Sequence, residues 1–453
     1  MDSIPKKKKI DGGLIMATKK VTVLEEELKN SDFMSILTYA VDSDSKCFSQ
    51  NTLIDYSYPT GIPLIDYRLG YEVVTKDENG NITGKRLCLG LQAGTFNVLT
   101  GNTQTYKTTI GEMMISHIAM TNSGNIIHLD PENRAVVQRI KNGTRLPDSW
   151  FTGKNPRYKI INGAIGFDTL QEIVTDIWTR KMKMRAVLSV DTGLKDDHGN
   201  PIMLMPPTCL FLDSVSDVIN KEYDINNKKQ VDELTELRSN TYGMTSAKTL
   251  RGVIADILPM LKEANILFLT IAHKNSNVSM NAFTPPKKQF QYGANDEKVS
   301  GGKALEYNAS LVGNFVAELS ADSRYHMDTD GFEGNTVVFE PIKCSTNESG
   351  NTKTGLGYRL VIDKRAGSVD NLRSLILYLN DLGRLKGNKA GFRVIDEKGE
   401  VISEKFTWKK AYEDFKADPA SYKTFMGVCK EELMKLVSKA VEAKESSLEE
   451  LYA

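Results

Sequence analysis

The sequence predicts an α/β fold: a mostly parallel central sheet covered by helices on both faces. Two observations carry this. From about residue 94 onward, short apolar strands alternate with helical patterns. Three polar turns then fall at the carboxyl ends of successive strands, where open α/β sheets place their ligands.

The 453 residues allow one large α/β core with smaller accessory regions. Lys+Arg and Asp+Glu both total 58, so formal net charge is zero and any polyanion site must concentrate its positive charge locally. The five cysteines, Cys47, Cys88, Cys209, Cys344 and Cys429, form no Cys-x-x-Cys pair, which points to reduced thiols. The five histidines are dispersed and suggest no protein-built metal site. No apolar run is long enough to span a membrane, and no apolar segment follows the basic N-terminus.

Residues 1–20 read as a disordered basic arm, with Lys6, Lys7, Lys8 and Lys9 in a row. Such a run is a solvated tail, a nucleic-acid contact or a nuclear-localisation-like address. Leu24, Leu28, Phe33, Met34 and Ile36 give a helical pattern over 21–40, a docking helix without its own core. PTGIPLIDYRLG at 59–70 opens the globular region. Val73-Val74, the turn-rich DENGN and Leu87–Leu91 predict a hairpin. FNVLT at 96–100 is a strand. A helix over 107–120 follows, with Ile110, Met113, Met114 and Ile118 at helical spacing and a stop at Gly124. Strands are expected at 125–130, 208–213 and 266–273, and helices at 168–182 and 245–263. The pattern changes near 375: FRVIDEKGEVISEKF at 392–406 predicts a hairpin with a Lys-Gly turn, then two helices rich in Lys and Glu. The expected organisation is an arm at 1–20, a helical region at 21–55, a core at 56–375 and a separate α+β region at 376–453.

The segment Gly101, Asn102, Thr103, Gln104, Thr105, Tyr106, Lys107, Thr108, Thr109 lies between a strand and a helix. A glycine-started turn at a helix N-terminus cradles phosphates with backbone N–H groups. Lys107 would then reach the β- and γ-phosphates of ATP, and Thr108 would ligate Mg²⁺. The usual glycine before the lysine is replaced by Tyr106, so the turn is expected to adopt a backbone that a side chain permits. Asp130-Pro131-Glu132 ends the next strand, placing Glu132 to activate the attacking water. Asp213 ends the strand at 208–213, where an aspartate supports the Mg²⁺ shell, partly through water.

After His273 come about two dozen polar residues and then Gly301-Gly302-Lys303-Ala304-Leu305-Glu306-Tyr307. This order resembles the RecA-family recombinases: a γ-phosphate sensor at a strand end, a mobile DNA-binding loop, and a Gly-Gly-x-Ala-Leu segment starting the next helix. The histidine sensor and the aromatic residue before the lysine are most similar to UvsX-like phage recombination proteins. The resemblance covers about 56–380, with insertions near 73–91 and 190–206, and implies a RecA-like P-loop ATPase core. It implies that Lys107, Glu132 and His273 carry ATP hydrolysis and that Lys343, in FEPIKCSTN, reaches ATP across a subunit interface. The second basic position of that segment reads Ser345. Two loops would line single- and double-stranded DNA. One spans about 217–246 and ends in Tyr242, Gly243 and Met244. The other, 274–300, carries Lys274, Lys287, Lys288, Phe290, Tyr292 and Lys298, followed by Gly301 and Gly302. Lysines on phosphates and aromatics on bases suit single strands.

The resemblance therefore implies a DNA-dependent ATPase that forms helical filaments through its 21–55 region, works with mediator and single-strand-binding proteins, and promotes strand exchange. The expected setting is the cytoplasm of an infected bacterium, or a nucleus-like phage compartment. The alternative is a hexameric RecA-like replicative helicase, which the Gly301-Gly302 segment and the short N-terminal region disfavour. A third reading is a DNA-binding filament whose altered turn binds nucleotide poorly.

Overall fold

The computed structural model describes residues 56–76, 81–195, 200–218, 238–276, 297–299, 303–318, 320, 323–327, 331–347 and 357–439, with backbone alone at 238–247, 275–276, 297–298 and 303. The predicted 1–20 arm and the 21–40 helix lie outside these residues.

The protein is α/β, and among the described residues its central sheet has 11 strands. Nine strands form its main path: β1 (Phe96–Gly101), β2 (Asn125–Asp130), β3 (Tyr158–Asn162), β4 (Thr208–Leu212), β5 (Ile266–Ser276), β6 (Leu311–Ala317), β7 (Gly334–Cys344), β8 (Tyr358–Asp363) and β9 (Ser368–Asp370). Their spatial order is β9-β8-β7-β6-β1-β5-β4-β2-β3. Every pairing from β6 through to β3 is parallel, while β7, β8 and β9 continue the sheet antiparallel.

The central strands are apolar on both faces because both are covered. Cys209 and Phe211 of β4 enter one core, and Leu210 and Leu212 enter the other. Leu267, Leu269 and Ile271 of β5 face the first core, and Ile266, Phe268 and Ala272 the second. This is the two-residue alternation of a strand expressed twice. Helix α1 (Lys107–Thr121) covers the first core with Ile110, Met114, Ile115 and Ile118. It is joined there by α2 (Val137–Thr144) through Ile140. Helices α3 (Phe167–Lys183) and α4 (Arg238–Glu263) cover the second core. In α4, Leu250, Val253, Ile254, Ile257 and Leu261 form one buried stripe, each side chain contributing about 1.5–3 kcal/mol.

Two expectations are corrected. The long helix begins at Arg238 rather than 245, so residues 238–246 are helical instead of closing a loop. Gly243 marks no break, because helical hydrogen bonding continues through it and the buried stripe further along anchors the whole element. The boundary expected at 376 falls inside α5 (Asn371–Asp381). Beyond it, Phe392, Val394, Phe406, Trp408 and, in α6 (Pro419–Met434), Phe425 belong to the same core as α1. Ser438 donates its N–H to Gly70 O and accepts from Glu72 N, and Asn347 Nδ2 donates to Leu436 O. The region after 376 is thus sewn into the core.

Within it, Leu385–Asn388 pairs with Gly391–Val394, and bridges join Phe392 to Phe406 and Ile395 to Val401 around Gly399. The hairpin expected near 73–91 is Tyr71–Lys76 with Ile82–Cys88, and a second one, Val190–Lys195 with Pro201–Leu204, fills the insertion near 190–206. Cys88, Cys209, Cys344 and Cys429 are buried and in no disulfide. Among the described residues, no helix is long and apolar enough to cross a membrane.

Candidate functional site

Register decides which strand ends meet. Gly101 of β1 stands opposite His273 of β5, and Leu212 of β4 stands opposite Leu129 of β2 and Thr270 of β5. Asp213, Glu132, His273 and the 101–106 turn therefore leave the sheet along one edge. Asp213, Glu132, His273 and residues 103–106 of the turn border a cavity of about 450 Å³.

The turn starts at Gly101, with φ +151°, where a Cβ would stand 2.3 Å from the Phe315 carbonyl oxygen. Only glycine fits there. The expectation for Tyr106 is overturned: it sits at φ 58°, ψ 22°, in the left-handed region, as does Gln104 at φ 63°. Such a conformation costs a non-glycine residue about 1–2 kcal/mol. Two contacts offset this cost. The Tyr106 hydroxyl accepts from Asn335 Nδ2 of β7 at 2.9 Å, and the ring packs on the first core.

Lys107 opens α1 and is 5 % exposed. Its Nζ donates to Asn102 O at 2.6 Å and Thr105 Oγ1 at 3.2 Å. Burial lowers its pKa to about 8, against the pull of Asp213 and Glu132. One residue on, Thr108 Oγ1 donates to Asp213 Oδ2 at 2.7 Å. Burial raises the Asp213 pKa, and the Thr108 hydrogen bond opposes it. Thr103, Gln104, Thr105 and Tyr106 line the cavity beside these residues, whereas Gly101, Asn102 and Thr109 do not.

Glu132 meets four groups. His273 Nε2 lies 3.2 Å from its Oε1, Ser214 Oγ lies 3.2 Å from the same oxygen, and Arg134 Nη1 pairs with Oε2 at 2.7 Å. The fourth is Asp217: burial first, then this neighbouring carboxylate, raises the Glu132 pKa, while His273 and Arg134 lower it. Asp130 shapes the turn, its Oδ2 accepting from Ala135 N at 2.7 Å.

Beneath lies a polar layer that the sequence reading missed. Glu112 of α1, 2 % exposed, pairs with Arg139 of α2 at 2.7 Å. Burial raises the Glu112 pKa to about 7, and Arg139 opposes the shift. His128 of β2, lowered to about 4 by burial, shares a hydrogen bond of 3.1 Å with the Tyr158 hydroxyl through Nδ1. Arg139 and His128 both line the cavity. Glu112, four residues past Thr108 and on the same helix face, was the visible signal: a carboxylate inside an apolar stripe.

The remaining sequence-predicted residues are elsewhere or outside the description. Lys343 of β7 donates to the Glu306 and Tyr307 carbonyls at 2.8 and 3.0 Å, at the end of the short helix Lys303–Asn308. It does not line the cavity, so its expected contact would require a second subunit. Lys274 and Lys298 are not free loop positions as expected. They lie in a ladder that pairs Lys274–Ser276 with Glu297–Val299 and closes the base of the expected loop. Tyr242, Gly243 and Met244 are in α4, and their side chains lie outside the description. Lys287, Lys288, Phe290, Tyr292, Gly301 and Gly302 lie outside the described residues.

No protein-family model matches the chain, and no curated protein matches it.

Proposed function

We propose that the chain is an ATP-dependent DNA-strand-exchange protein of the RecA type, close in kind to the UvsX-like phage recombinases. The observation that carries this is the meeting of Lys107, the Thr108–Asp213 pair and the Glu132–His273 pair at one cavity mouth, supplied by four strand ends. A lysine at a helix N-terminus, a hydroxyl and a carboxylate for Mg²⁺, and a carboxylate that orients water are parts that phosphoryl-transfer enzymes reuse.

In this reading the turn at 101–106 and the first N–H groups of α1 bind the phosphates. Lys107 exchanges its bonds to Asn102 O and Thr105 Oγ1 for phosphate oxygens. The Thr108 hydroxyl and Asp213 carboxylate, 2.7 Å apart, form the oxygen donor set that Mg²⁺ prefers and would hold it. When bound, the ion neutralises charge developing on the phosphates. Glu132 takes a proton from the attacking water as the water oxygen bonds to the γ-phosphorus and the bond to the β–γ bridging oxygen breaks. His273 stands where it can register the γ-phosphate, and β5 continues from it into the ladder with Glu297–Val299. ATP would thereby bias the protein toward the state that binds DNA better, which is linkage. Lys343 would contact the nucleotide of an adjoining subunit in a filament on single-stranded DNA, and the work would take place in the cytoplasm of an infected host cell.

Lys107→Ala tests the reading. It should abolish DNA-stimulated ATP turnover and strand exchange, and electron microscopy should show wild-type filaments on single-stranded DNA with a non-hydrolysable ATP analogue. Full exchange by the variant overturns the nucleotide assignment. Closed rings with unwinding activity replace recombinase by helicase.

A further inference from the structure

Asp217 ends a single 3₁₀ turn, Val215–Asp217, directly after β4, and is exposed. Its Oδ2 accepts from Ser214 Oγ at 2.7 Å. The same hydroxyl lies 3.2 Å from Glu132 Oε1. A hydroxyl has one proton to give, so Ser214 can satisfy only one of the two carboxylates at a time. Ser214 itself is fully buried, which holds that choice in a fixed geometry. One polar atom from each of Asp217, Glu132 and His273 lies within 4.8 Å of the other two.

We propose that Asp217 is a positioning residue for Glu132, acting through the Ser214 hydroxyl and through its own charge to make Glu132 a stronger base. This rests on the reading of Glu132 as the carboxylate that activates water. Charged groups reach Glu132 from every side: Arg134 from its own turn, Asp217 from the 3₁₀ turn, His273 from β5 and Lys107 from α1. Arg134 and His273 lower its proton affinity, and Lys107, being positive, acts in the same direction. Asp217 raises it and adds to burial. A carboxylate of higher proton affinity draws a proton from water more effectively. The consequence is that protonation silences it at a higher pH. Turnover should therefore fall on the acid side as pH drops through the raised Glu132 value.

The experiment is the pH–rate profile of ATP hydrolysis at saturating ATP and single-stranded DNA, for the wild type, Asp217→Asn, Asp217→Ala and Asp217→Glu. Affinity for a fluorescent ATP analogue is measured alongside to show that each variant is folded. Asn and Ala should move the acid limb to lower pH and lower the plateau rate, while Glu restores both. An acid limb at the same pH in the wild type and in both neutral variants overturns the assignment, as does a wild type with no acid limb. Glu132→Gln separates the two levels of failure. If it turns over ATP at the wild-type rate, Glu132 is not the base and the underlying reading of the site falls. If it is inactive while Asp217→Asn keeps the wild-type limb, only the role of Asp217 falls.

Discussion

Tyr106 stands where a phosphate-binding turn ordinarily carries glycine, and its backbone is left-handed, with φ 58°. Replacing it by Gly and by Ala isolates that backbone. Both variants lose the Asn335 contact and the ring packing equally, so those losses cancel between them. Alanine keeps a left-handed cost of about 1–2 kcal/mol. Glycine escapes it but loses about 0.5–1 kcal/mol of unfolded-state entropy relative to alanine. Tyr106→Gly should thus be more stable than Tyr106→Ala by about 0.5–1 kcal/mol, the reverse of the order found inside helices. Urea unfolding followed by circular dichroism reads the difference from the midpoints, provided the slopes agree. A Tyr106→Ala chain as stable as Tyr106→Gly, at equal slopes, would falsify the left-handed assignment. The hydroxyl is examined separately: Tyr106→Phe should cost about 1 kcal/mol, and a double-mutant cycle with Asn335→Ala should return most of it as coupling energy.

Two further expectations concern protonation. The Lys107 pKa is lowered to about 8, so its charge is lost in the free protein as pH rises past that value. Affinity for Mg·ATP should therefore fall between about pH 8 and 9.5, and fall less in Lys107→Arg; equilibrium binding across that range measures it. Glu112 has the opposite history: its pKa is raised to about 7 in the fold and returns to the ordinary carboxylate range on unfolding. The ionised form is thus favoured in the unfolded chain, and stability should decline as pH climbs from about 4.5 to about 7. Glu112→Gln should flatten that decline in urea titrations; an unchanged pH dependence would show that Glu112 does not cause it.

Four of the central strands were legible because they are short, mostly apolar runs bounded by polar turns. FNVLT, NIIHLD, TCLFL and ILFLTIAH read as short strands covered on both faces, and the polar residues that end them lie along the edge that borders the cavity. Lys107, Thr108, Glu132 and Asp213 stand out this way, each from a local pattern of strand, turn and helix, whereas His273 stands out only through the resemblance of the segment that follows it. The outer strands were not. β3 reads YKIIN, with its middle residues only partly buried, and β7 mixes buried and exposed positions along GNTVVFEPIKC, so neither stands out against a loop. The first turns of α4 are not legible because Gly243 disfavours helix locally, yet the helix runs through it.

Local sequence determined the ordering of elements and the chemistry of the turn, because a strand's periodicity and a turn's residue types are short-range properties. Long-range contact decided the rest. Asn335 is 229 residues from the tyrosine it braces, Ser214 is 82 from Glu132, and Arg139 is 27 from Glu112. Which carboxylates share a hydroxyl, which acid is buried beside a guanidinium, and whether the residues after 376 stand apart depend on sheet register and on which apolar faces find each other. Those are settled only when the whole core closes.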